Sequence, residues 1–534
     1  MAPLADALTL DNFASRLPTW SPELPNHLYA MVDMGRCVNG IRFSISDLSP
    51  PHARLLKCLY RERAAISLFD ALNDSSSGGH PEFPPDVITQ VSKTLARYKH
   101  IAVEYGVPLE HISVFATEAM RKASNAVAML DSIRAATGLT VHVLAPEVET
   151  LFGAMGARSG FSTVNGLFLD LGGGSVQMTY LNSTTPDYAI PAARTGKSLP
   201  FGAARLINDM EKSEVGVRDA ALNELRIGMR HAFARLEQQF PPLRDTQLEP
   251  GGTGVDIYLC GGGFRGYGSI LMHSDPLQPY PIPSVGAYMV KGGFFRQTSV
   301  MRKINAEYEG KIFGMSKRRR SQFPAIAAVV EALIDAIPRI RTVTFCGGGN
   351  REGVLLLKLP QSIREACPLS LLPCGQETKP VALKAVVNVT QSALPPSMAE
   401  SDVPTVFSLG LGPLFASEIW SRMGESSEAN ASFHLRHSLT RDSSAPGLTH
   451  LARAVLALTL CFRWGASLGP VDKQLFDSLQ SLVSDVSVEA IFWAQYIDGR
   501  KSSGSSRRLQ FALCHRRSPA GAVGVIEKRP AIKW

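Results

Sequence analysis

The sequence lacks several features that mark whole classes of protein. Only eight of its 534 residues are cysteine and none of them forms a Cys-x-x-Cys pair, which argues against a zinc site and against a disulfide framework. The longest apolar segment, 451–462, is interrupted by Arg453 and is shorter than the roughly 20 residues that cross a bilayer. Residues 1–26 have no basic start and no long apolar block, which argues against a secretory signal. We therefore expect a cytoplasmic protein without a membrane segment.

A strong excess of one charge is also missing. Lys and Arg total 55 and Asp and Glu total 47, so the formal net charge is +8. This excess is mild for the length, and no direct nucleic-acid partner is expected from it. Hydrophobic residues make up 45% of the chain, which excludes a mostly disordered protein. At roughly 100–200 residues per domain, the length predicts about three domains.

Strand-like apolar runs and helical periodicities alternate along residues 28–358. This alternation predicts α/β layers in which part of the sheet is parallel. The pattern restarts at Gly166, so we expect two related lobes, 28–164 and 165–358, with a cleft between them. Residues 1–27 are expected to form a loose arm and residues 359–534 a separate α+β region. Helical spacing occurs at 86–105, 118–137, 147–158, 318–337 and 449–497.

Two apolar runs end in Asp-x-Gly, at Asp33 and at Asp170, and two more glycine-rich turns follow apolar runs at 260–266 and 346–349. Successive N–H groups in such turns form a nest that favours phosphate, although any one of them could be an ordinary hairpin turn. None of the turns continues into the Gly-Lys-Ser/Thr of a Walker loop. An aspartate repels phosphate unless a cation lies between them, and Mg²⁺ takes one or two carboxylates plus phosphate oxygens. Asp33 and Asp170 are therefore candidate Mg²⁺ ligands that face each other across the cleft.

The order and spelling of these motifs resemble the exopolyphosphatase and guanosine pentaphosphate phosphatase (Ppx/GppA) family, within the actin, Hsp70 and sugar-kinase superfamily. The resemblance runs from about residue 28 to residue 357. It is carried by ATEAMRKASN at 116–125 and DLGGGS at 170–175, with SLPFGAARL at 198–206 and Arg-Glu-Gly at 351–353 in the expected order. It implies duplicated actin-like ATPase (ribonuclease H-like) lobes with an inter-lobe ligand cleft.

The resemblance also implies site residues. Glu149, in the segment that matches the family's Glu-Glu-Ala-x-Leu, would position or deprotonate an attacking water, with Asp170 and Arg121 as the other catalytic candidates. From the residues alone, Glu149 is equally an acidic residue in a first helical turn, and Arg121 a solvated helical arginine. The implied phosphate-binding residues are Asp33, Gly35, Asn39, Thr117, Gly172, Gly173, Gly174 and Ser175. Gly261, Gly262, Gly263 and Arg265 form a weaker candidate for nucleotide binding.

Two departures from the family pattern bear on activity. Arg36, Cys37 and Val38 stand where the family has one serine, so the first turn is longer and lacks that hydroxyl. Gln177 replaces a glutamate of the family and removes one carboxylate from the second turn. Within the family, the segments YLCGGGFRG and NGIRFSI resemble the fungal branch of regulators that signal the state of mitochondria to the nucleus.

Two functions therefore stay open. One is a cytoplasmic regulator of retrograde signalling that binds ATP or another nucleotide or polyphosphate with Mg²⁺ and acts through a signalling protein partner. The other is an active Mg-dependent exopolyphosphatase or nucleotide-polyphosphate phosphohydrolase that uses Glu149. A sugar kinase is disfavoured, since no catalytic base beside a sugar pocket is evident. A homodimer is compatible with either function, and the basic run 317–320 is either a nuclear signal or the start of a solvated helix.

Overall fold

The computed structural model divides into two compact units. The first comprises Met1–Ser274 and Ser284–Ala366, and the second comprises Asp275–Pro283 and Cys367–Trp534. No helix among the described residues is long and apolar enough to span a bilayer. The structure describes residues 7–372 apart from 18, 36–39, 75–80, 213–214 and 249–250, and residues 385, 387–388 and 408–484 apart from 419–423, 443 and 466.

The first lobe of the first unit is built on a mixed sheet in the order β3-β2-β1-β4-β5. The first three strands are antiparallel neighbours, and β4 and β5 run parallel to β1. The strands are β1 (Leu28–Asp33), β2 (Ile41–Asp47), β3 (Lys57–Ala64), β4 (Ile112–Ala116) and β5 (Val141–Val143). The alternation of Ile41, Phe43 and Ile45 that predicted a strand places all three in the core behind this sheet.

The second lobe contains a sheet in the order β10-β11-β9-β6-β7-β8. Its strands are β6 (Asn165–Leu171), β7 (Val176–Asn182), β8 (Lys197–Leu199), β9 (Val255–Cys260), β10 (Met289–Lys291) and β11 (Ile340–Phe345). Strands β6, β7 and β8 are antiparallel neighbours. On the other side of β6 lie β9 and then β11, both parallel to β6. Without the edge strand β10, this order repeats that of the first sheet, so the predicted duplication of actin-like lobes is confirmed.

Seventeen helices lie within the described residues of the first unit. They are α1 (Phe13–Arg16), α2 (Leu68–Asp74), α3 (Pro85–Glu104), α4 (Glu118–Lys122), α5 (Ala126–Thr137), α6 (Pro146–Arg158), α7 (Ala189–Thr195), α8 (Ala203–Lys212), α9 (Val215–Gln239), α10 (Pro241–Asp245), α11 (Gly261–His273), α12 (Gly292–Phe295), α13 (Thr298–Glu307), α14 (Lys317–Ser321), α15 (Phe323–Ala336), α16 (Asn350–Lys358) and α17 (Gln361–Arg364). The periodicity of α3 buries Val91, Leu95 and Tyr98. Tyr98 stacks on Phe43 of β2 with ring centroids 4.6 Å apart, which fixes α3 on the outer face of the first sheet.

Helices α6 and α16 are in close contact within the first unit. A Cβ atom on Gly156 of α6 would come within 1.9 Å of the carbonyl oxygen of Gly349, just before α16. A Cβ atom on Gly353 of α16 would come equally close to the carbonyl oxygen of Phe152. Only glycine permits this approach at either position, and the contact places the first turn of α16 beside α6.

Several sequence expectations differ from the structure. The helical segment expected over 449–497 is two helices, His450–Trp464 and Pro470–Ser484, and residues 485–497 lie outside the described residues. The helix expected over 118–137 is interrupted between α4 and α5, because the side chain of Asn125 exchanges two hydrogen bonds of 2.9 Å with the backbone of Phe83. The helix expected over 318–337 is likewise two helices, α14 and α15. The described residues of the arm that was expected to be loose pack on the first lobe: Leu8 exchanges backbone hydrogen bonds with Val143 and Ala145, and Trp20 is buried.

The described residues of the second unit form helices, and the strands implied by an α+β region do not occur among them. The helices are α18 (Gly412–Glu418), α19 (Ser427–Thr440), α20 (His450–Trp464) and α21 (Pro470–Ser484). Arg453, which interrupts the apolar segment in the sequence, is 2% exposed and donates hydrogen bonds to carbonyls after α19 that include those of Arg441 and Asp442. Burial lowers the pKa of Arg453 to about 10. The loop Asp275–Pro283 belongs to this unit, which the sequence did not suggest.

Candidate phosphate-binding site

The first glycine-rich loop begins where β1 ends. The N–H of Gly35 donates a hydrogen bond of 2.8 Å to Oδ1 of Asp33. A Cβ atom on Gly35 would lie 2.6 Å from Cγ2 of Thr117 and 2.8 Å from the same aspartate oxygen, so the chain passes between two buried side chains and leaves room only for glycine. Thr117 is where the chain leaves β4 and enters α4. Asn39 and the inserted residues 36–38 lie outside the described residues.

Asp33 is 7% exposed, and its burial raises the pKa of its carboxyl. Arg42, its cross-strand neighbour on β2, and Arg351 of α16 act in the opposite direction. The charge of Asp170 raises the pKa of Asp33 further, so the two carboxylates influence each other across the lobes. A bound cation would relieve their repulsion.

The residues fit a Mg²⁺ ion that is shared with a ligand. Within the part of the chain that the structure describes, no group of three or more His, Cys, Asp or Glu side chains is arranged to hold a metal by itself. Mg²⁺ commonly takes one or two carboxylates and completes its coordination with phosphate oxygens and water. That Asp33 and Asp170 are the protein ligands of such an ion stays a prediction.

The second loop, Gly172–Ser175, connects β6 and β7 and is held by the first turn of α8. The N–H of Gly172 donates to the carbonyl oxygen of Ser175 at 3.1 Å, which closes the turn. The N–H of Ala203 donates to the carbonyl of Gly172, and the N–H groups of Ala204 and Arg205 donate to that of Gly173, at 2.9–3.0 Å. These bonds turn the loop carbonyls toward α8, so they do not face an anionic ligand in the cleft.

Glu118, which the sequence analysis did not single out, lies on the second loop although it belongs to the first lobe. The Oγ of Ser175 donates a hydrogen bond of 3.1 Å to Oε2 of Glu118, and a Cβ atom on Gly174 would lie 2.4 Å from the same oxygen. Gln177 donates to Ser175 Oγ at 3.3 Å. The loop therefore has a neighbouring carboxylate from α4 while position 177 carries an amide. Lys122 forms an ion pair with Glu118.

Glu149 is 1% exposed in the first turn of α6. Nη2 of Arg121 donates a hydrogen bond of 3.0 Å to Oε2 of Glu149, and Nη1 of the same arginine bonds to the carbonyl oxygen of Leu144. Arg121 is therefore anchored at two points and orients Glu149, instead of being a freely solvated helical arginine. Its role as a phosphate ligand and that of Glu149 as a catalytic group stay predictions.

Asn350 and Arg351 at the start of α16 were not among the predicted site residues, although Arg351 belongs to the Arg-Glu-Gly motif that could have identified it. Both residues are 6% exposed. Oδ1 of Asn350 and Nη1 of Arg351 are buried and have no hydrogen-bond partner among the described residues. A Cβ atom on Gly153 would lie 3.5 Å from Oδ1 of Asn350 and 3.3 Å from Oδ2 of Asp170, so these two oxygens are close to each other. Buried polar atoms without partners are rare, and here they are available to a ligand.

The third glycine-rich segment is the first turn of α11 and not an open turn. Gly261 has a φ of +90°, and a Cβ atom there would lie 2.3 Å from Oδ1 of Asp170. Gly263 packs against the side chain of Leu171, and Nε of Arg265 donates to the carbonyl of Gly261 at 3.3 Å. At least two of these glycines thus allow α11 to pack against the strand that carries Asp170. Nucleotide binding by Gly261, Gly262, Gly263 and Arg265 stays a prediction.

A cavity of about 310 Å³ opens between the lobes, with α2 and α4 on one side and α8 on the other. Its volume is at the lower end of the range of ligand pockets, about 300–1,000 Å³. Burial raises the pKa of Asp209 in this cavity, and Arg205 acts in the opposite direction. A second cavity of about 20 Å³ lies between Gly35 and Gly174, one from each loop. The larger cavity is lined by Phe69, Leu72, Glu118, Ala119, Lys122, Arg205, Asn208 and Asp209.

Residues 45–362, which include strands from both lobes, match the sequence profile of the Ppx/GppA phosphatase family. The chain belongs to the Ppx/GppA phosphatase family. It is also similar to retrograde regulation protein 2 of Saccharomyces cerevisiae, with 30% identity over 484 residues that cover 88% of this chain and 79% of that protein. Residues 371–500 match the profile of the RTG2 C-terminal domain, so this second match covers the described helices of the second unit.

Other relatives match a shorter part of the chain. Exopolyphosphatase 1 of Mycobacterium leprae is 26% identical over 268 residues, which cover 50% of this chain and 73% of that protein. The crystal structure of the Ppx/GppA family member of Aquifex aeolicus covers 62% of this chain and 97% of its own, with 19% identity and a TM-score of 0.48. In this Ppx/GppA chain, the two segments that chiefly carried the resemblance lie at strand ends: 116–125 begins at the last residue of β4, and 170–175 begins in the last two residues of β6.

Proposed function

We propose that this chain is a regulator of retrograde signalling that binds a nucleotide or polyphosphate in the cleft between its two lobes. One observation carries the binding proposal: Asp33 of β1, Asp170 of β6 and the buried, partnerless atoms of Asn350 and Arg351 at the start of α16 come from three different elements and converge. The similarity to retrograde regulation protein 2 along most of the chain supports the regulatory role. The regulator acts in the cytoplasm through a signalling protein partner.

Each group in the cleft has a specific task toward a phosphate chain. Arg351 is a fixed guanidinium whose Nη1 donates to a phosphate oxygen, and such charge-assisted bonds are stronger than neutral ones. The second loop offers the backbone N–H groups that do not close the turn, and the hydroxyl of Ser175 in exchange for its hydrogen bond to Glu118. Mg²⁺ held by Asp33 and Asp170 supplies the positive charge that lets these carboxylates lie beside phosphate.

Binding is tested by calorimetry of the full chain with ATP and with inorganic tripolyphosphate, each with and without Mg²⁺. We expect heat of binding with at least one ligand and at least tenfold weaker binding for Arg351→Met. Arg218→Met makes the same chemical change on the exposed surface of α9 and serves as the control. Absence of heat with both ligands at millimolar concentration would contradict the proposal.

The regulatory role is tested in a yeast strain that lacks its own retrograde regulation protein 2. We expect the wild-type chain to restore the transcriptional response to mitochondrial damage and Asp170→Asn to fail at equal protein level. A chain that binds its ligand in vitro but restores no response would separate the binding proposal from the signalling proposal.

A second candidate, phosphoanhydride hydrolysis, is favoured by the buried pair of Glu149 and Arg121. A carboxylate oriented in this way can accept a proton from a water molecule that attacks a terminal phosphoryl group, and the rest of such catalysis is positioning and charge neutralisation. Phosphate release should fall about 100-fold or more in Glu149→Gln. Glu147→Gln changes an exposed carboxylate in the same helical turn and should be silent. Equal release by wild type and Glu149→Gln would remove Glu149 from the mechanism.

A further inference from the structure

The basic run 317–320 is followed at once by a serine, and the five residues form the single-turn helix α14. None of these five residues, all of which the structure describes, is buried, and Ser321 is exposed. The N–H of Arg319 is capped by Oγ of Ser316 at 3.2 Å. The run is therefore the start of a helical segment, as one of the two sequence alternatives expected.

Arg318 connects this helix to the other lobe. Its Nη2 donates a hydrogen bond of 2.5 Å to Oδ2 of Asp70 on α2, and both side chains are more than one-third exposed. Helix α2 also supplies Phe69 and Leu72 to the inter-lobe cavity. The ion pair of Arg318 and Asp70 therefore connects α2, which lines this cavity, to the second lobe.

We propose that Ser321 is a phosphorylation site for a serine kinase whose substrate groove is acidic. Arginines at the positions three and two residues before the serine, Arg318 and Arg319, match such a groove by charge. The hydroxyl is exposed, and α14 is a single turn without a buried residue. It can unwind into the extended form that a kinase binds once the side-chain hydrogen bonds of its arginines, such as that of Arg319 to the carbonyl of Gly314, are broken. Ser316 is equally exposed but lies before the run, so it lacks these preceding arginines.

The transfer is an ordinary phosphoryl transfer from ATP on the kinase. Oγ of Ser321 forms a bond to the γ-phosphorus, and the bond from this phosphorus to the β–γ bridging oxygen breaks. ADP leaves with that electron pair, and the hydroxyl proton passes to the base of the kinase. The product carries about −1.5 to −2 charges where a neutral hydroxyl stood.

The new charge lies beside Arg318. Ser321 follows Arg318 by three residues in α14, and its hydroxyl donates to the backbone carbonyl of Arg318 at 2.9 Å. Side chains three residues apart are neighbours on a helix, so a phosphate on Ser321 can reach the guanidinium and compete with Asp70 for it. The phosphate also lies just before the first turn of α15, where the helix dipole favours an anion. Phosphorylation of Ser321 thus releases α2 from the second lobe and loosens one wall of the cavity.

The site is tested by treating the full chain with the catalytic subunit of cyclic-AMP-dependent protein kinase and Mg-ATP, followed by peptide mapping with a protease that does not cleave after arginine. We expect phosphate on Ser321 and none on Ser316. Arg319→Ala should slow modification of Ser321 at least tenfold, whereas Lys317→Ala, which removes a charge four residues before the serine, should change it less than twofold. Absence of phosphate on Ser321 would overturn the proposal. So would an unchanged rate of modification in Arg319→Ala, provided that this variant has the melting temperature of the wild type.

The consequence is tested by hydrogen exchange of residues 68–74. We expect severalfold faster exchange after modification, and the same increase in unmodified Arg318→Ala, which removes the ion pair directly. Ser321→Ala should show wild-type exchange with and without kinase. Modified protein in which α2 exchanges as slowly as before would overturn the release of α2.

Discussion

The two glycine-rich loops lie at equivalent strand ends of two repeated sheets, yet different contacts hold them. The second loop, Gly172–Ser175, is shaped by backbone: the carbonyls of Gly172 and Gly173 accept hydrogen bonds from N–H groups at the start of α8. The first is bordered by side chains, since Gly35 passes between Asp33 and Thr117. The two lobes thus place a loop at the end of the equivalent strand, and the elements packed beside each sheet determine which contacts that loop makes.

Charge is also divided unequally between the lobes. The first lobe contributes Arg42 beside Asp33, Glu118 on the second loop and the pair of Arg121 and Glu149. The second lobe surrounds Asp170 with close backbone, as at Gly261. Glycine variants beside the second loop should therefore act through packing, and variants of Glu118 and of the pair of Arg121 and Glu149 through electrostatics.

The largest loss of stability is expected at Gly202, whose backbone contacts the backbone of the second loop. A Cβ atom on Gly202 would lie 2.3 Å from the carbonyl group of Gly173 and from the nitrogen of Ser175. Gly202→Ala should lower the free energy of unfolding by about 3 kcal/mol and abolish ligand binding, because the loop itself must shift. Chemical denaturation measures the stability. Gly216→Ala, which meets nothing within 4 Å in helix α9, should instead be neutral or stabilising.

A somewhat smaller loss of stability is expected when the ion pair of Arg121 and Glu149 in the first lobe is broken. Arg121→Met leaves Glu149 in its 1% exposed position without the guanidinium, which should cost about 3 kcal/mol or slightly less because Arg121 is itself partly exposed. Adding Glu149→Gln should restore part of the loss, since the buried charge is then gone. If the double variant is no more stable than Arg121→Met, the pair is not coupled as described.

Glu118 tests the contact between the lobes. Its carboxylate lies on the loop that should receive phosphate, so Glu118→Gln keeps the size of the side chain but removes the repulsion. We expect about tenfold tighter binding of tripolyphosphate, equivalent to about 1.4 kcal/mol, in calorimetry without Mg²⁺. Asp209→Asn removes the same charge elsewhere in the cavity and should have a smaller effect. Equal gains in both variants would point to general electrostatics and not to the contact with Ser175.

The pH dependence of stability should have opposite signs at Asp33 and Glu352. The pKa of Asp33 is raised in the folded state, so its contribution is fully present below the ordinary pKa of an aspartate and is lost as the pH rises through the raised value. Asp33→Asn should therefore gain stability relative to wild type as the pH increases.

The carboxyl of Glu352 has a lowered pKa, which Arg351, Arg61 and the N–H of Gly349 maintain against burial. Its contribution is present above the ordinary pKa of a glutamate and is lost as the pH falls through the lowered value. Glu352→Gln should be less stable than wild type at neutral pH, and thermal melts from pH 3 to 8 should show the two differences changing in opposite directions. The same trend in both variants would contradict this assignment.

Much of the fold follows from local sequence patterns. Apolar alternation predicted β2, helical spacing predicted α3, and the repeated Asp-x-Gly after an apolar run predicted the duplicated lobes, because each pattern is set by the side-chain period of one element. The interruption at Asn125 was missed, since it depends on hydrogen bonds to Phe83, 42 positions earlier in the chain. The arm was expected to be loose for a similar reason: its partners are on β5 and beyond β2.

The sequence by itself determined the glycine-rich segments, the alternation of strands and helices and the family, since those depend on neighbouring residues and on motif spelling. Only the tertiary structure decided which side chains meet. It brought Arg351 to Asp33, Glu118 to Ser175 and Arg318 to Asp70, each across a long separation along the chain. Such contacts arise from the packing of two sheets and the helices beside them, and no local period in the sequence encodes the side-chain distance between elements.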